Sequence, residues 1–174
     1  MTHSILKGLL GLLMFSGVSS AQQGVSTVSS LEHLTVDTAL KRAVRRPTPA
    51  LRIVIDPMIV RANQAPGYRD STLRESRRNQ YLVESFHARS LPRDSVFDCS
   101  SRPCTMRNAD VLVTLSEPAI AGDKATVTVT TSVPVHGSSS RQLPITMQYR
   151  TVIVHLERRG AAWQVVSLDD LGMS

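Results

Sequence analysis

Ala125-Thr126-Val127-Thr128-Val129-Thr130-Thr131-Ser132-Val133 is the stretch that decides the fold. Successive side chains of an extended strand point to opposite faces, so Ala125, Val127, Val129, Thr131 and Val133 share one face and Thr126, Thr128, Thr130 and Ser132 the other. One face is apolar and the other hydroxylic, which predicts a strand packed on a core on one side and wetted on the other. The same period-two pattern spans Val111 to Leu115, Met147 to Leu156 and Ala162 to Leu168. Glu117 to Lys124, His136 to Pro144 and the tight Arg158-Arg159-Gly160-Ala161 connect these segments. Links this short predict antiparallel neighbours, and hence a four-stranded meander that closes the chain.

Upstream of Asp110 the period changes. Val36, Ala39, Leu40, Ala43 and Val44 follow the i, i+3, i+4 spacing of an amphipathic helix, with Ser29, Ser30 or Thr35 as cap and Pro47 as stop. Lys41, Arg42, Arg45 and Arg46 crowd its last turns, where cations favour the helix dipole. Leu51 to Val60 reads as one further strand, in which Pro57 forces an edge or a bulge. After a polar loop from Asn63 to Asp70, Thr72 and Glu75 have the spacing of a capping box. Leu73, Tyr81, Leu82 and Phe86 then mark a second helix running to about His87. Arg74, Arg77 and Arg78 are expected on its solvated side, partly offset by Glu75 and Glu84. The expected class is therefore α+β. A curved antiparallel sheet, made of the four-stranded C-terminal meander and one earlier strand, packs on two helices.

Residues 1–21 have the pattern of a signal peptide. Lys7 supplies the positive start, Leu9 to Phe15 is apolar apart from Gly11, and Ser19-Ser20-Ala21 offers small residues for cleavage. The apolar run is well short of the roughly 20 residues that span a bilayer. A flexible lead-in is expected at 22–30, a single domain at 31–174, and a secreted or periplasmic location in a bacterium. Cys99 and Cys104 are the two cysteines, and an oxidising compartment predicts a disulfide between them. Closing so short a loop constrains the unfolded chain by about 2 kcal/mol, enough to shape a local turn.

Of 174 residues, 41% are apolar and 20% charged, a composition that excludes disorder, and the length excludes a multidomain enzyme. The formal net charge is +6, almost all of the cations being Arg. The basic residues are spread along the chain. The aromatics beyond residue 21, Tyr68, Tyr81, Phe86, Phe97, Tyr149 and Trp163, are not interleaved with any basic run, which argues against nucleic-acid binding. No Gly-rich phosphate loop, Gly-x-Ser-x-Gly elbow or His-Glu-x-x-His motif occurs, and no cofactor or metal is expected. Asp94 and Asp98 carry no recognisable pattern, and Asp169-Asp170 reads as a pair of exposed tail acids.

The element order from about Ser30 onward resembles the nuclear transport factor 2-like superfamily, also called ketosteroid-isomerase-like. The closing hairpin Val152 to Val165, with Glu157-Arg158-Arg159-Gly160 before Trp163, adds to that resemblance. The chain carries one helix fewer before its first strand than the usual roll, so the related cystatin-like arrangement stays open. Enzymes of the superfamily place an Asp, Glu or His inside a cone, often with a Tyr hydroxyl. The resemblance thus implies Asp56, Tyr149, Arg150, His155 and Trp163 as cavity candidates. Tyr149, Thr151, Ile153 and His155 share one face of their strand and Arg150, Val152, Val154 and Leu156 the other, so Arg150 and His155 cannot both line a cone. No acid–base pair with a nucleophile is evident. The expectation is an exported, non-enzymatic binding or accessory domain for a small molecule or an envelope protein. The alternative is a small isomerase, dehydratase or hydrolase using Asp56, Tyr149 or His155. Apolar residues on both faces of the last two strands also suggest a homodimer formed through the outer sheet surface.

Overall fold

Three long strands run side by side through the molecule, and everything else is arranged around them. The computed structural model describes residues 20–44, 51–61, 71–100, 104–135 and 146–173. In chain order the first elements are α1 (Ser20–Ala43), β1 (Ile53–Val60), β2 (Ser71–Leu73), α2 (Ser76–Ser85), β3 (Arg89–Ser90) and α3 (Arg93–Val96). They are followed by β4 (Phe97–Asp98), β5 (Thr105–Met106), β6 (Val111–Ser116), β7 (Ala119–Ala121), β8 (Lys124–Val135), β9 (Thr146–Arg159) and β10 (Ala162–Met173). The segment before residue 20, the loop at 62–70, Arg45 to Pro47 and the connection at 136–145 lie outside the described residues.

The class is α+β. The main sheet has the order β10-β9-β8-β6-β1-β2, with β3 beside β1 and β7 beside β8. β6, β8, β9 and β10 form the expected antiparallel meander. The earlier strand departs from expectation, because β1 joins β6 in parallel and the sheet is mixed. A long connection carrying α2 and the disulfide turn separates β1 from β6. Such a connection permits the crossover that parallel neighbours require, whereas the short links farther on do not.

The sheet's inner face receives α1. Leu31, Val36 and Ala39 pack with Ile55, Val113, Leu115, Val127, Val129, Val152, Val154 and Leu156 in one buried core. Each large apolar side chain fully buried there stabilises the domain by roughly 1.5–3 kcal/mol. Among the described residues a second, smaller core lies on the outer face, where Val54 and Leu112 meet Val96 and Ala109, with Leu91, Phe97 and Met106 at its edge. The segment from α3 to β6 thus covers the β1 and β6 end of the outer face, and the disulfide between Cys99 and Cys104 lies within it. Toward β9 the same face carries Thr126, Thr128, Thr130, Thr151 and Ile153 at intermediate exposure.

Two helix boundaries differ from the sequence reading. Residues 22–30, expected as a lead-in, belong to α1, and Ser29 is buried. Ser29 stands three and seven positions before the buried Glu32 and Val36, so the buried stripe of α1 continues back through it. The Thr72 and Glu75 capping box does not form. Thr72 pairs with Ile59 in β2, and Glu75 precedes α2 without a side-chain cap. Strand pairing to β1 holds Thr72 in β2, and α2 begins only at Ser76, so Thr72 lies too far from the first helical turn to cap it.

Candidate functional site

Pro57 organises the first region of interest. Lacking an N–H, it interrupts the pairing of β1 with β6 between Ile55 and Ile59, the bulge its presence predicts. On the opposite edge β3 pairs with Val54 and Ile55 and β2 with Met58 to Val60, so Asp56 and Pro57 face a gap. Arg74 fills it. Its backbone N–H donates to Pro57 O at 2.8 Å and its Nη1 donates to Asp56 O at 3.1 Å. The guanidinium then reaches α1, where Nε donates to Glu32 Oε1 at 3.3 Å. Arg78 completes the cluster, with Nη2 to Glu32 Oε1 at 2.6 Å and Nε to Glu32 Oε2 at 3.3 Å. The side chains of Glu32 and Arg74 have no solvent exposure at all. The solvated helix face expected for Arg74, Arg77 and Arg78 is therefore corrected: Arg77 is exposed, Arg78 half-buried, and Arg74 interior.

Asp56, one of the cavity candidates, is buried on the outer-face side of β1, beside this cluster. Desolvation pushes its carboxyl above the ordinary value. The backbone N–H groups of Met58 and Arg93 and the charges of Arg74 and Arg93 oppose that shift. Desolvation likewise lowers Arg74, with Glu32 acting against it. Asp56 Oδ2 and Arg74 Nη2 have no hydrogen-bond partner among the described residues. The cluster ties α1, β1 and the start of α2 together. Its carboxylate is already claimed by two guanidinium groups, which suits a structural role.

Tyr149 lies on the outer face, where the guanidinium carbon of Arg93 stands 5.9 Å from its ring centroid and 5.4 Å from that of Phe97. Arg93 thus faces both Asp56 and Tyr149. His155 lies on the same face, farther along β9, with Nε2 hydrogen-bonded to Asp169 Oδ2 at 2.7 Å. This pair borders a groove of about 560 Å³ lined by Ala119, Ala121, Thr126, His155, Val166 and Ser167.

Arg150 is on the helix-covered face, as the alternation requires, at the C-terminal end of α1. Its Nη1 donates to Arg42 O at 3.2 Å, and its guanidinium is paired with Asp170. Those bonds and the N–H of Gly172 hold the Asp170 carboxyl below its usual range. Asp169 and Asp170, read as exposed tail acids, both have partners.

Trp163 is 7% exposed and packs into the inner core, yet one side of it lines a second groove. This groove, of about 410 Å³, runs between α1, α2 and the β9–β10 turn. Thr27, Ser30, His33, Tyr81 and Arg158 share its walls. His33 stacks on Phe86 at 4.8 Å between centroids and lies 5.9 Å from Tyr81. The structure therefore divides the five cavity candidates. Asp56, Tyr149 and His155 belong to the outer face, and Arg150 and Trp163 to the helix side, at separate points. Glu32, Arg74, Arg78, His33, Tyr81 and Arg158 were not among them. Glu32 left a trace, because it precedes Val36 by one helical turn and so puts a charge on the apolar stripe of α1.

No family model, curated protein or solved structure matches this chain. Among the described residues no cluster of His, Cys, Asp and Glu is suited to hold a metal ion, and no helix is long and apolar enough to cross a membrane.

Proposed function

We propose that this protein is an exported binding or accessory domain of the nuclear transport factor 2-like roll type, which holds a small molecule or an envelope protein rather than transforming a substrate. The observation that carries the reading is the occupancy of the inner face. Where an enzyme of that type would keep a cavity, Leu31, Val36 and Ala39 of α1 are buried against Val127, Val129, Val152 and Val154. Among the described residues, grooves of about 560 and 410 Å³ lie at the periphery, where a ligand or partner can be recognised. Native mass spectrometry of protein purified from the periplasm without reductant tests this. A retained small molecule or a stoichiometric partner is the expected result. Bare protein that also captures nothing from envelope extract would overturn it.

A second reading rests on the His155 and Asp169 pair. A carboxylate that orients an imidazole at the mouth of a groove is an arrangement suited to general-base chemistry, and Ser167 stands opposite His155 in the sheet register. On that reading the protein is a small isomerase, dehydratase or hydrolase. Turnover on a panel of ester, enone and hydroxyacyl substrates that disappears in His155→Ala would establish it. Absence of turnover in the parent protein would remove it.

A further inference from the structure

We infer that the groove between α1, α2 and the β9–β10 turn is a binding site for a planar aromatic carboxylate. The inference rests on the binding reading above and names its ligand class. Two observations converge. The first is the ring content of the walls: the imidazole of His33, the phenol of Tyr81 and the indole of Trp163 line one groove of about 410 Å³, within the roughly 300–1,000 Å³ typical of small-molecule sites. Tyr81 is 43% exposed, unusually open for so large a ring, and its neighbour His33 is already held by stacking on Phe86. A planar guest gains most from such walls, because offset stacking and edge-to-face contacts need flat partners.

The second observation is charge. Among the described residues Arg158 is the one formal cation that lines the groove, and no carboxylate lines it. Its guanidinium carbon stands 5.8 Å from the Trp163 ring centroid, while Asp123 holds it from outside with contacts of 2.9 and 2.7 Å to Nε and Nη2. Asp123 is itself well exposed, so the pair is screened and a carboxylate in the groove can share the guanidinium.

Trp163 is the sole tryptophan of the chain, so its emission reports the groove directly. The test titrates the purified protein with 2-naphthoate, and compares 2-naphthylmethanol, which lacks the charge, and decalin-2-carboxylate, which lacks the planarity. Calorimetry provides the second readout. Saturable quenching by 2-naphthoate is expected, with about tenfold weaker binding of 2-naphthylmethanol, which loses the charge-assisted contact, and roughly three- to tenfold weaker binding of decalin-2-carboxylate, which loses the aromatic contacts. Tyr81→Ala and Arg158→Gln, both at exposed positions, should weaken 2-naphthoate by about the same factor while circular dichroism stays unchanged. No saturable response, an equal response to the neutral alcohol, or binding indifferent to Tyr81→Ala would each overturn the assignment. The two levels separate cleanly. A co-purified small molecule that Tyr81→Ala still retains overturns the groove and leaves the binding reading standing. Turnover lost in His155→Ala overturns the binding reading itself.

Discussion

Arg74 Nε donates to Glu32 Oε1 across 3.3 Å with neither side chain touching solvent, although the two residues are 42 positions apart. This contact crosses from α1 to the bulged edge of β1 and is reinforced by Arg78. Burying such charges is costly, and their mutual contacts offset that cost only while every member is present.

Glu32→Ala should therefore be severe, because it leaves two guanidinium groups facing an apolar core. A loss of about 3–5 kcal/mol is expected in urea denaturation. Arg77→Ala, on the exposed side of α2, should stay within about 0.5 kcal/mol. Equal effects for the two would mean that the cluster does not hold α1 to the sheet.

Asp56 makes stability depend on pH in a defined sense. Its folded-state value is raised above the 3.8 of the free carboxyl, chiefly by desolvation, so the folded chain binds this proton more tightly than the unfolded one. The contribution is complete below about pH 3.8 and is lost as pH rises through the folded value. Asp56→Asn keeps an oxygen able to accept the Met58 N–H bond and removes the titration. The stability advantage of the parent over Asp56→Asn should thus shrink as pH rises. Unfolding midpoints of both proteins along a pH series measure this, and parallel curves would contradict it.

Val129 and Thr128 stand on opposite faces of β8. Val129 is fully buried in the inner core, so Val129→Asp should abolish cooperative unfolding, an unpaired charge there costing several kcal/mol. Thr128 is half-buried on the outer face. Thr128→Lys should remain folded in a monomer. If sedimentation shows a dimer in the parent that Thr128→Lys dissociates, the outer face is the subunit contact.

The disulfide between Cys99 and Cys104 closes a short loop within the segment that covers the outer face. Replacing both cysteines by Ser should lower stability by only about 2 kcal/mol. Hydrogen exchange should speed up at Val96, Phe97 and Met106, which pack on the small outer core, and stay slow in β8 and β9. Uniform loss of protection would show that the loop holds the whole domain.

The α+β class, the four meander strands, the assignment of Val152, Val154 and Leu156 to one face and His155 to the other, and the cysteine pairing were all legible in the chain. Each depends on residues close in sequence. Alternation assigns a face within one strand, a short link fixes an antiparallel neighbour, and a short spacing brings two thiols together. Tertiary structure alone decided the parallel pairing of β1 with β6, the gap at Asp56 and Pro57, and the burial of Arg74. It also brought His33, Tyr81 and Trp163 to one groove. Nothing local separates Arg74, which is interior, from Arg77, which is exposed, because both follow the same short strand. What separates them is a carboxylate on a distant helix and a missing proline N–H on another strand, and the energy of a buried charge depends on partners that only the assembled fold supplies.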